Sequence, residues 1–222
     1  MWEGIPDEIF PLLRIAQIRI VQGRYDEAQQ ALDRIHRVGE ENVHDLGRAG
    51  VALVMAVFFN ALGDEPHLRE VLELTAQAYR ISSENPQLSQ QYQMVAACEA
   101  AAAHMGLARM LGGEDERRYH LNLALESSQL ALDIYRSFGF VRPIECTSEE
   151  ILYRHSLALR ANGHAVEANA HLRQAFDEMM RKNDLIPPDS PFRRTYLENI
   201  PLHREIRAAM SSTPASGKQA AS

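Results

Sequence analysis

The side chains best suited to chemistry in this sequence are nine histidines and two cysteines. Such side chains hold metal ions when they stand at short fixed spacings, as in His-Glu-x-x-His or Cys-x-x-Cys. Neither spacing occurs, and Cys98 and Cys146 lie in separate apolar or helical stretches. His155 falls at a packing position of a predicted helix, and His164 and His171 stand seven residues apart on the next one. We therefore expect structural histidines and no metal site.

Two acidic runs, residues 114–116 and 149–150, could provide paired carboxylates for acid–base catalysis. Each run follows a helix-start sequence, 112–113 or 147–148, where acidic side chains complement the helix dipole. The sequence contains no glycine-rich phosphate loop, no dinucleotide-binding fingerprint and no nucleophile elbow. It therefore predicts no catalytic residue and no cofactor, and a helical hydrolase with scattered ligands is the least favoured interpretation.

Charge and hydropathy exclude two further classes of partner. The net charge is −7, from 23 basic and 30 acidic residues, whereas binding to phosphates requires clustered Lys and Arg. The longest nearly apolar run, 49–59, is much shorter than the roughly 20 residues that cross a bilayer. Residues 1–13 lack the basic start and apolar run of a signal peptide. We expect a cytoplasmic protein that binds neither nucleic acid nor membranes directly.

Helices must position whatever function the chain has, because apolar residues recur at steps of three and four and no segment alternates as a strand would. The sequence therefore predicts an all-α fold. Turn signals separate ten predicted helices, at residues 6–22, 26–38, 43–62, 66–81, 86–111, 117–138, 147–162, 165–183, 191–197 and 201–210. These helices form one domain, 1–210, followed by a Ser-, Ala-, Gly- and Pro-rich tail, 211–222, predicted to be disordered.

The predicted hairpins repeat one another. Gly23 and Gly163 each open a turn, and a small residue follows five positions later, Ala28 or Ala168. Glycine ends a helix in the left-handed conformation, and the small residue lets two helices approach closely. The four turn glycines are taken as Gly23, Gly63, Gly113 and Gly163. The residues seven positions before them are also small: Ala16, Ala56, Gly106 and Ser156. Self-similarity of this kind is typical of stacked hairpins in a solenoid.

These features resemble the tetratricopeptide repeat (TPR) family over about residues 6–183. The hairpins are longer than the family's usual repeat of about 34 residues, and aliphatic residues occupy most of its aromatic positions. The resemblance implies a right-handed superhelix, or α-solenoid, of about four TPR-like hairpins with a helical closing segment. The predicted hairpins cover about 6–38, 43–81, 86–138 and 147–183, and the closing helices cover about 191–210.

Long, degenerate repeats of this kind resemble the carboxy-terminal arrays of large bacterial signalling ATPases, transcriptional activators and nucleotide cyclases. Residues 186–206 resemble the segment that closes such arrays. The resemblance implies a non-catalytic interaction or regulatory module of a bacterial signalling system, expected to be the carboxy-terminal part of a larger ATPase, activator or cyclase protein. Its partner would be a protein or peptide or an upstream catalytic or nucleotide-binding module. The alternative is a free-standing adaptor that binds a peptide segment of a separate partner. The apolar residues Trp2, Ile5, Ile9, Phe10 and Leu13 favour the first interpretation, because an independent adaptor needs a polar capping helix.

The family's groove positions, carried over by counting from the turn glycines, fall on the first helix of each hairpin. They are Leu13, Gln17, Ile20, Leu53, Val57, Asn60, Ala103, Leu107, Met110, Tyr153, Leu157 and Arg160. Most are apolar, so they form either an apolar binding groove or a surface covered by neighbouring helices. The candidate partner-binding residues among them are Gln17, Val57, Asn60, Tyr153, Leu157 and Arg160.

Overall fold

The computed structural model describes residues 8–38, 45–84, 89–138 and 146–213. Within these ranges the regular secondary structure is helical and no strand occurs, which confirms the all-α prediction. None of these helices combines the length and the apolar character needed to span a membrane. The helices are α1 (Ile9–Val21), α2 (Tyr25–Val38), α3 (Asp45–Leu62), α4 (Glu65–Ser83), α5 (Ser89–Met110), α6 (Glu114–Ser137), α7 (Ser148–Ala161), α8 (Ala165–Asp184), α9 (Pro191–Glu198) and α10 (Pro201–Ser212).

The helix limits lie close to the predicted ones, with one informative exception at the start of α6. Gly113 is the residue that caps this helix, and its extended backbone, with φ of −84°, differs from the expected left-handed turn. Glu114 then opens the first turn, three residues before the predicted start at 117. The three acidic residues of this turn favour the positive end of the helix dipole, which extends the helix backward. The predicted starts at 6, 43 and 86 lie outside the described residues.

The helix α10 continues through Ser212, two residues past the predicted end of the helical domain at 210. The Ser211 hydroxyl donates to the carbonyl oxygen of Arg207 at 2.9 Å, and the Ser212 hydroxyl donates to that of Ala209 at 2.9 Å. The carbonyl group of Ala209 is among those that the last turn of a helix leaves without a backbone partner. The rest of the predicted tail, 214–222, lies outside the described residues.

Three turn glycines have the left-handed backbone that the repeat pattern requires. Gly23, Gly63 and Gly163 have φ values of 72°, 73° and 86°. At the last of these turns the His164 amide donates to the carbonyl oxygen of Leu159 at 2.9 Å, which closes the end of α7. A side chain at these positions would strain the backbone, so each glycine fixes a tight connection within a hairpin.

Buried small residues allow the helices to pack closely. Ala16, Ala56, Ala28 and Ala168 are fully buried. Gly106 faces Leu68 of α4, in the preceding hairpin. Consecutive helices pack on each other, and the first helices α1, α3, α5 and α7 also contact one another in succession. The closing helices α9 and α10 pack against α8.

The core has two main parts that share α3. One cluster joins α1 and α2 to Val51, Val54 and Phe58 of α3. The larger cluster joins the other side of α3, through Ala52 and Leu53, to helices α4–α8 and to α10. The helix α2 itself has little contact with α3, so the first hairpin is attached mainly through α1.

Candidate functional site

The six candidate partner-binding residues differ in exposure. Gln17, Val57, Asn60 and Leu157 are partly exposed, and Arg160 is exposed. Tyr153 is only 6% exposed and belongs to the larger core cluster. The other first-helix positions that are buried, and therefore covered by neighbouring helices, are Ile20, Leu53, Ala103 and Leu107. The predicted inner face is therefore interrupted along its length by residues of the core.

Several of these candidates already have partners within the protein. The Arg160 guanidinium donates to Oδ1 of Asn169 on α8 at 2.6 Å. Gln17 accepts a hydrogen bond from Arg14 at 2.8 Å. Burial raises the pKa of the Tyr153 hydroxyl, and the charge of Glu205 acts in the same direction. Tyr153 is therefore a neutral core residue under ordinary conditions.

Asn60 leads into a polar network that the sequence analysis did not identify. Its Nδ2 donates to Oε2 of Glu99 at 2.7 Å and to the Glu99 carbonyl oxygen at 3.0 Å. Arg154 pairs with the same Glu99 carboxylate at 3.2 Å and also with Glu150. We call Asn60, Glu99, Glu150 and Arg154 the inner polar network. It joins α3, α5 and α7, the first helices of three successive hairpins.

The inner polar network places charges inside the core. Glu99 is 1% exposed, and burial raises its pKa, while the guanidinium of Arg154 opposes the rise. Burial would lower the pKa of Arg154, but Glu150 and Glu99 outweigh it and hold that pKa well above its usual value. A buried guanidinium between two carboxylates compensates their desolvation only when all three remain together. The network therefore fixes the relative positions of α5 and α7.

Cys98 and Cys146 meet beside this network. The Cys146 thiol donates to Sγ of Cys98 at 3.3 Å, and the two residues are 1% and 0% exposed. Both are free thiols. The hydrogen bond to Cys98, together with burial, raises the pKa of Cys146 well above its usual value. Arg154 donates to the carbonyl oxygen of Cys98 at 3.0 Å, so the thiol pair and the network share a residue of α5.

Glu149 is a second buried carboxylate. From the sequence, residues 149–150 are explained by the helix dipole alone, and the contacts of Glu149 correct that explanation. Glu149 is 1% exposed and pairs with Lys182 of α8 and with Nε2 of His203 of α10, the latter at 3.3 Å. The Tyr196 hydroxyl of α9 lies 3.5 Å from the same carboxylate. Burial would raise the pKa of Glu149, but the hydrogen bonds from His203 and Lys182 reduce it to about 2. Glu149 therefore holds the closing helices to the last hairpin.

The buried histidines have partners in the core. His104 and His120 share a hydrogen bond between their Nδ1 atoms at 2.9 Å, and Nδ1 of His155 lies 3.0 Å from the Ser128 hydroxyl. Burial lowers the pKa of His104 and of His155 to about 4, so both are neutral near pH 7. In the part of the chain that the structure describes, no three His, Cys, Asp or Glu residues are grouped to hold a metal ion.

Helix α1 presents aliphatic side chains to solvent. Ile15, Ile18 and Val21 are 44%, 55% and 50% exposed, and we call them the α1 outer stripe. The opposite side of the helix is buried through Leu12, Ala16 and Ile20. The segment Ile9–Val21 contains two arginines and no acidic residue, although the whole chain is acidic. The exposed side of α1 is therefore apolar, and Arg19 pairs with Glu27 of α2 at 3.0 Å.

One feature of the sequence could have indicated the inner polar network. Glu99 is the only charged residue between Met94 and Gly106, in a stretch otherwise suited to the core. An isolated charge in such a stretch requires a buried partner. The sequence does not identify that partner, because Arg154 lies in another hairpin.

Comparison with protein-family models, curated proteins and solved structures finds no match for this chain. Its function therefore has to be inferred from its own contacts and surfaces.

Proposed function

We propose that this protein is a non-catalytic interaction and regulatory module of a bacterial signalling system, and that it acts in the cytoplasm. Its hairpins would form a right-handed, TPR-like superhelix. The left-handed turn glycines Gly23, Gly63 and Gly163 support this architecture, as do the buried small residues and the succession of contacts between first helices. Arrays of stacked hairpins commonly bind proteins through extended surfaces.

The α1 outer stripe is the observation that carries the proposal. Three aliphatic side chains exposed on one side of α1 leave apolar area in water, which favours a protein contact. In a stack of hairpins, this side of α1 is where a further helical element would pack. The partner would therefore contribute an amphipathic helix to this contact. Arg19 of α1 already pairs with Glu27 of α2 at 3.0 Å, so the apolar stripe rather than charge would carry the contact.

The two interpretations of the resemblance assign different surfaces to the partner. A catalytic or nucleotide-binding module of the same system would pack against the α1 outer stripe. A free-standing adaptor would instead hold a peptide on the inner face, around Val57, Asn60 and Leu157. Since Leu53 and Tyr153 of that face are buried in the core, little continuous surface remains for a peptide. The geometry therefore favours the first interpretation.

A binding experiment with three variants distinguishes these surfaces. A partner is first isolated by affinity capture and purified, and its affinity is then measured by calorimetry. We expect the double variant Ile15→Glu with Ile18→Glu to bind at least about tenfold more weakly, because charges would face the apolar contact. Leu157→Asp on the inner face should bind like the parent protein.

Val166→Glu is the matched control, because this valine is 84% exposed at the start of α8. It introduces the same kind of charge on α8, which contributes to neither proposed surface, and it should leave the affinity unchanged. Circular dichroism checks that each variant keeps its helices. Loss of binding in Leu157→Asp, with full binding in the α1 double variant, would instead favour the peptide adaptor.

A further inference from the structure

The chain's two cysteines are 48 positions apart and yet in contact. Their sulfur atoms lie 3.3 Å apart, whereas a disulfide bond is about 2.05 Å long. An approach of roughly 1 Å would therefore join them. The chain has no third cysteine that could compete within the molecule.

The pair connects two hairpins at a defined place. Cys98 lies within α5, the first helix of the third hairpin. Cys146 comes directly before Thr147, whose hydroxyl accepts a hydrogen bond from the Glu150 amide at 3.3 Å and caps α7. A bond between the sulfurs would therefore attach α5 to the first residues of the fourth hairpin.

We propose that Cys98 and Cys146 are a modification site at which hydrogen peroxide forms a reversible intramolecular disulfide. The disulfide fastens the third hairpin to the fourth. This inference rests on the thiol contact and does not depend on the partner proposed above.

The chemistry requires one molecule of peroxide for each disulfide. The Cys98 sulfur, which accepts the hydrogen bond from Cys146, attacks one peroxide oxygen, and the O–O bond breaks. This gives a sulfenic acid on Cys98, and the thiol proton leaves with the released hydroxide as water. The Cys146 sulfur then attacks the Cys98 sulfur, and the S–O bond breaks. The released hydroxide takes up the Cys146 proton and forms a second water. Two thiols are oxidised, and the peroxide is reduced to two waters.

Burial determines which reagent can act. Because the two cysteines are 1% and 0% exposed, a small neutral oxidant reaches them more readily than a bulky disulfide such as oxidised glutathione. The second thiol is already in contact with the first, so it captures the sulfenic acid before further oxidation to sulfinic acid. The same burial means that reduction requires a small thiol and a transient opening.

The inner polar network is coupled to this bond. Arg154 holds the carbonyl oxygen of Cys98 and the carboxylate of Glu150, four residues after Cys146. Two links would then connect α5 with α7, one ionic and one covalent. Oxidation therefore makes separation of the third and fourth hairpins more difficult.

Intact-mass spectrometry of the native protein tests the proposal. Fully reduced protein is treated with hydrogen peroxide, and the reaction is quenched. The intact mass is then measured, and any remaining thiols are alkylated after denaturation. We expect the mass to fall by two hydrogen atoms, no thiol to be alkylated, and dithiothreitol to restore both. The oxidised protein should melt at least about 5 °C higher than the reduced protein, because the bond closes a long loop.

The single variants Cys98→Ser and Cys146→Ser are the controls. Each keeps one thiol, so peroxide should leave a sulfenic acid that dimedone traps when it is added during denaturation, and the melting temperature should not rise. The mass measurement on the parent protein decides the question even where a variant folds poorly. Addition of oxygen without loss of two hydrogens, or a disulfide that forms only in denaturant, would overturn the proposal.

Discussion

Leu68 of α4 fills the space above Gly106 of α5. A Cβ atom at Gly106 would lie 2.6 Å from Cδ1 of Leu68, closer than two carbon atoms can stand without a shift. Leu68 is buried, and it packs in a cluster with Ala103 and Leu107 of α5. The close contact between the second hairpin and the third therefore depends on the absence of a side chain at one position.

Replacing this glycine tests the contact. We expect Gly106→Leu to destabilise the protein by about 1–3 kcal/mol, because an overpacked core forces the two helices apart. Urea denaturation measures the change. Leu68→Ala in the Gly106→Leu background should recover part of the loss by making room for the new side chain. If the free-energy changes of the two substitutions simply add in the double variant, these positions do not touch.

Removing Arg154 should leave Glu99 without its compensating charge. We expect Arg154→Met to cost about 3–5 kcal/mol at pH 7, as is usual when one member of a buried pair is removed. The pKa of Glu99 is already raised in the folded protein, so protonation favours folding. The loss should therefore be smaller at pH 5 than at pH 8 in urea titrations. Glu99→Gln in the same background should restore stability, and a pH-independent loss would contradict this account.

The Glu149 carboxylate should make the closing helices sensitive to acid. Its pKa in the folded protein is about 2, against an ordinary value of 4.5. A lowered pKa stabilises the folded state above about pH 4.5, and the contribution, on the order of 3 kcal/mol, is lost as the pH falls toward 2.

Glu149→Gln should therefore be less stable than the parent near pH 7, and the difference should disappear in strong acid. Glu167→Gln, at an exposed position of α8, is the control and should follow the parent protein. Thermal melts from pH 7 to pH 2 make the comparison. A constant difference over this range would mean that the Glu149 charge does not stabilise the fold.

Binding of a partner at the α1 outer stripe should depend weakly on ionic strength. Apolar contacts are not screened by salt, whereas contacts between exposed charges are. We expect the dissociation constant to change by less than about tenfold between 50 and 300 mM salt, measured by calorimetry. A larger weakening would assign the contact to the charged surface of the stack.

Local patterns predicted the helices well, and α8 illustrates why. Its predicted range of 165–183 compares with Ala165–Asp184, because the turn glycine Gly163 comes just before the helix, and the acidic first turn and the basic last turn mark its two ends. Contacts between different hairpins could not be predicted from such local patterns. Cys98 and Cys146 lie in different hairpins, and their contact depends on how far each helix is rotated. The repeat pattern fixes that rotation only to about one residue.

The candidate site shows the same limit. Tyr153 was expected on the inner face, but it lies in the core cluster that also contains Ile206 of the closing helix α10. Its burial depends on how a segment more than fifty residues further along the chain packs, and counting from a turn glycine within one hairpin could not predict it. Arg160 on the same helix is exposed.

Because α3 packs on two sides, the protein consists of two units that can unfold separately. The first hairpin is held by one side of this helix, through Val54 and Phe58, while the other side belongs to the larger core. Breaking the first set of contacts leaves the second intact, so α1 and α2 can open without global unfolding. Amide hydrogens of Leu32 should then exchange with solvent sooner than those of Leu172, even though both side chains are buried.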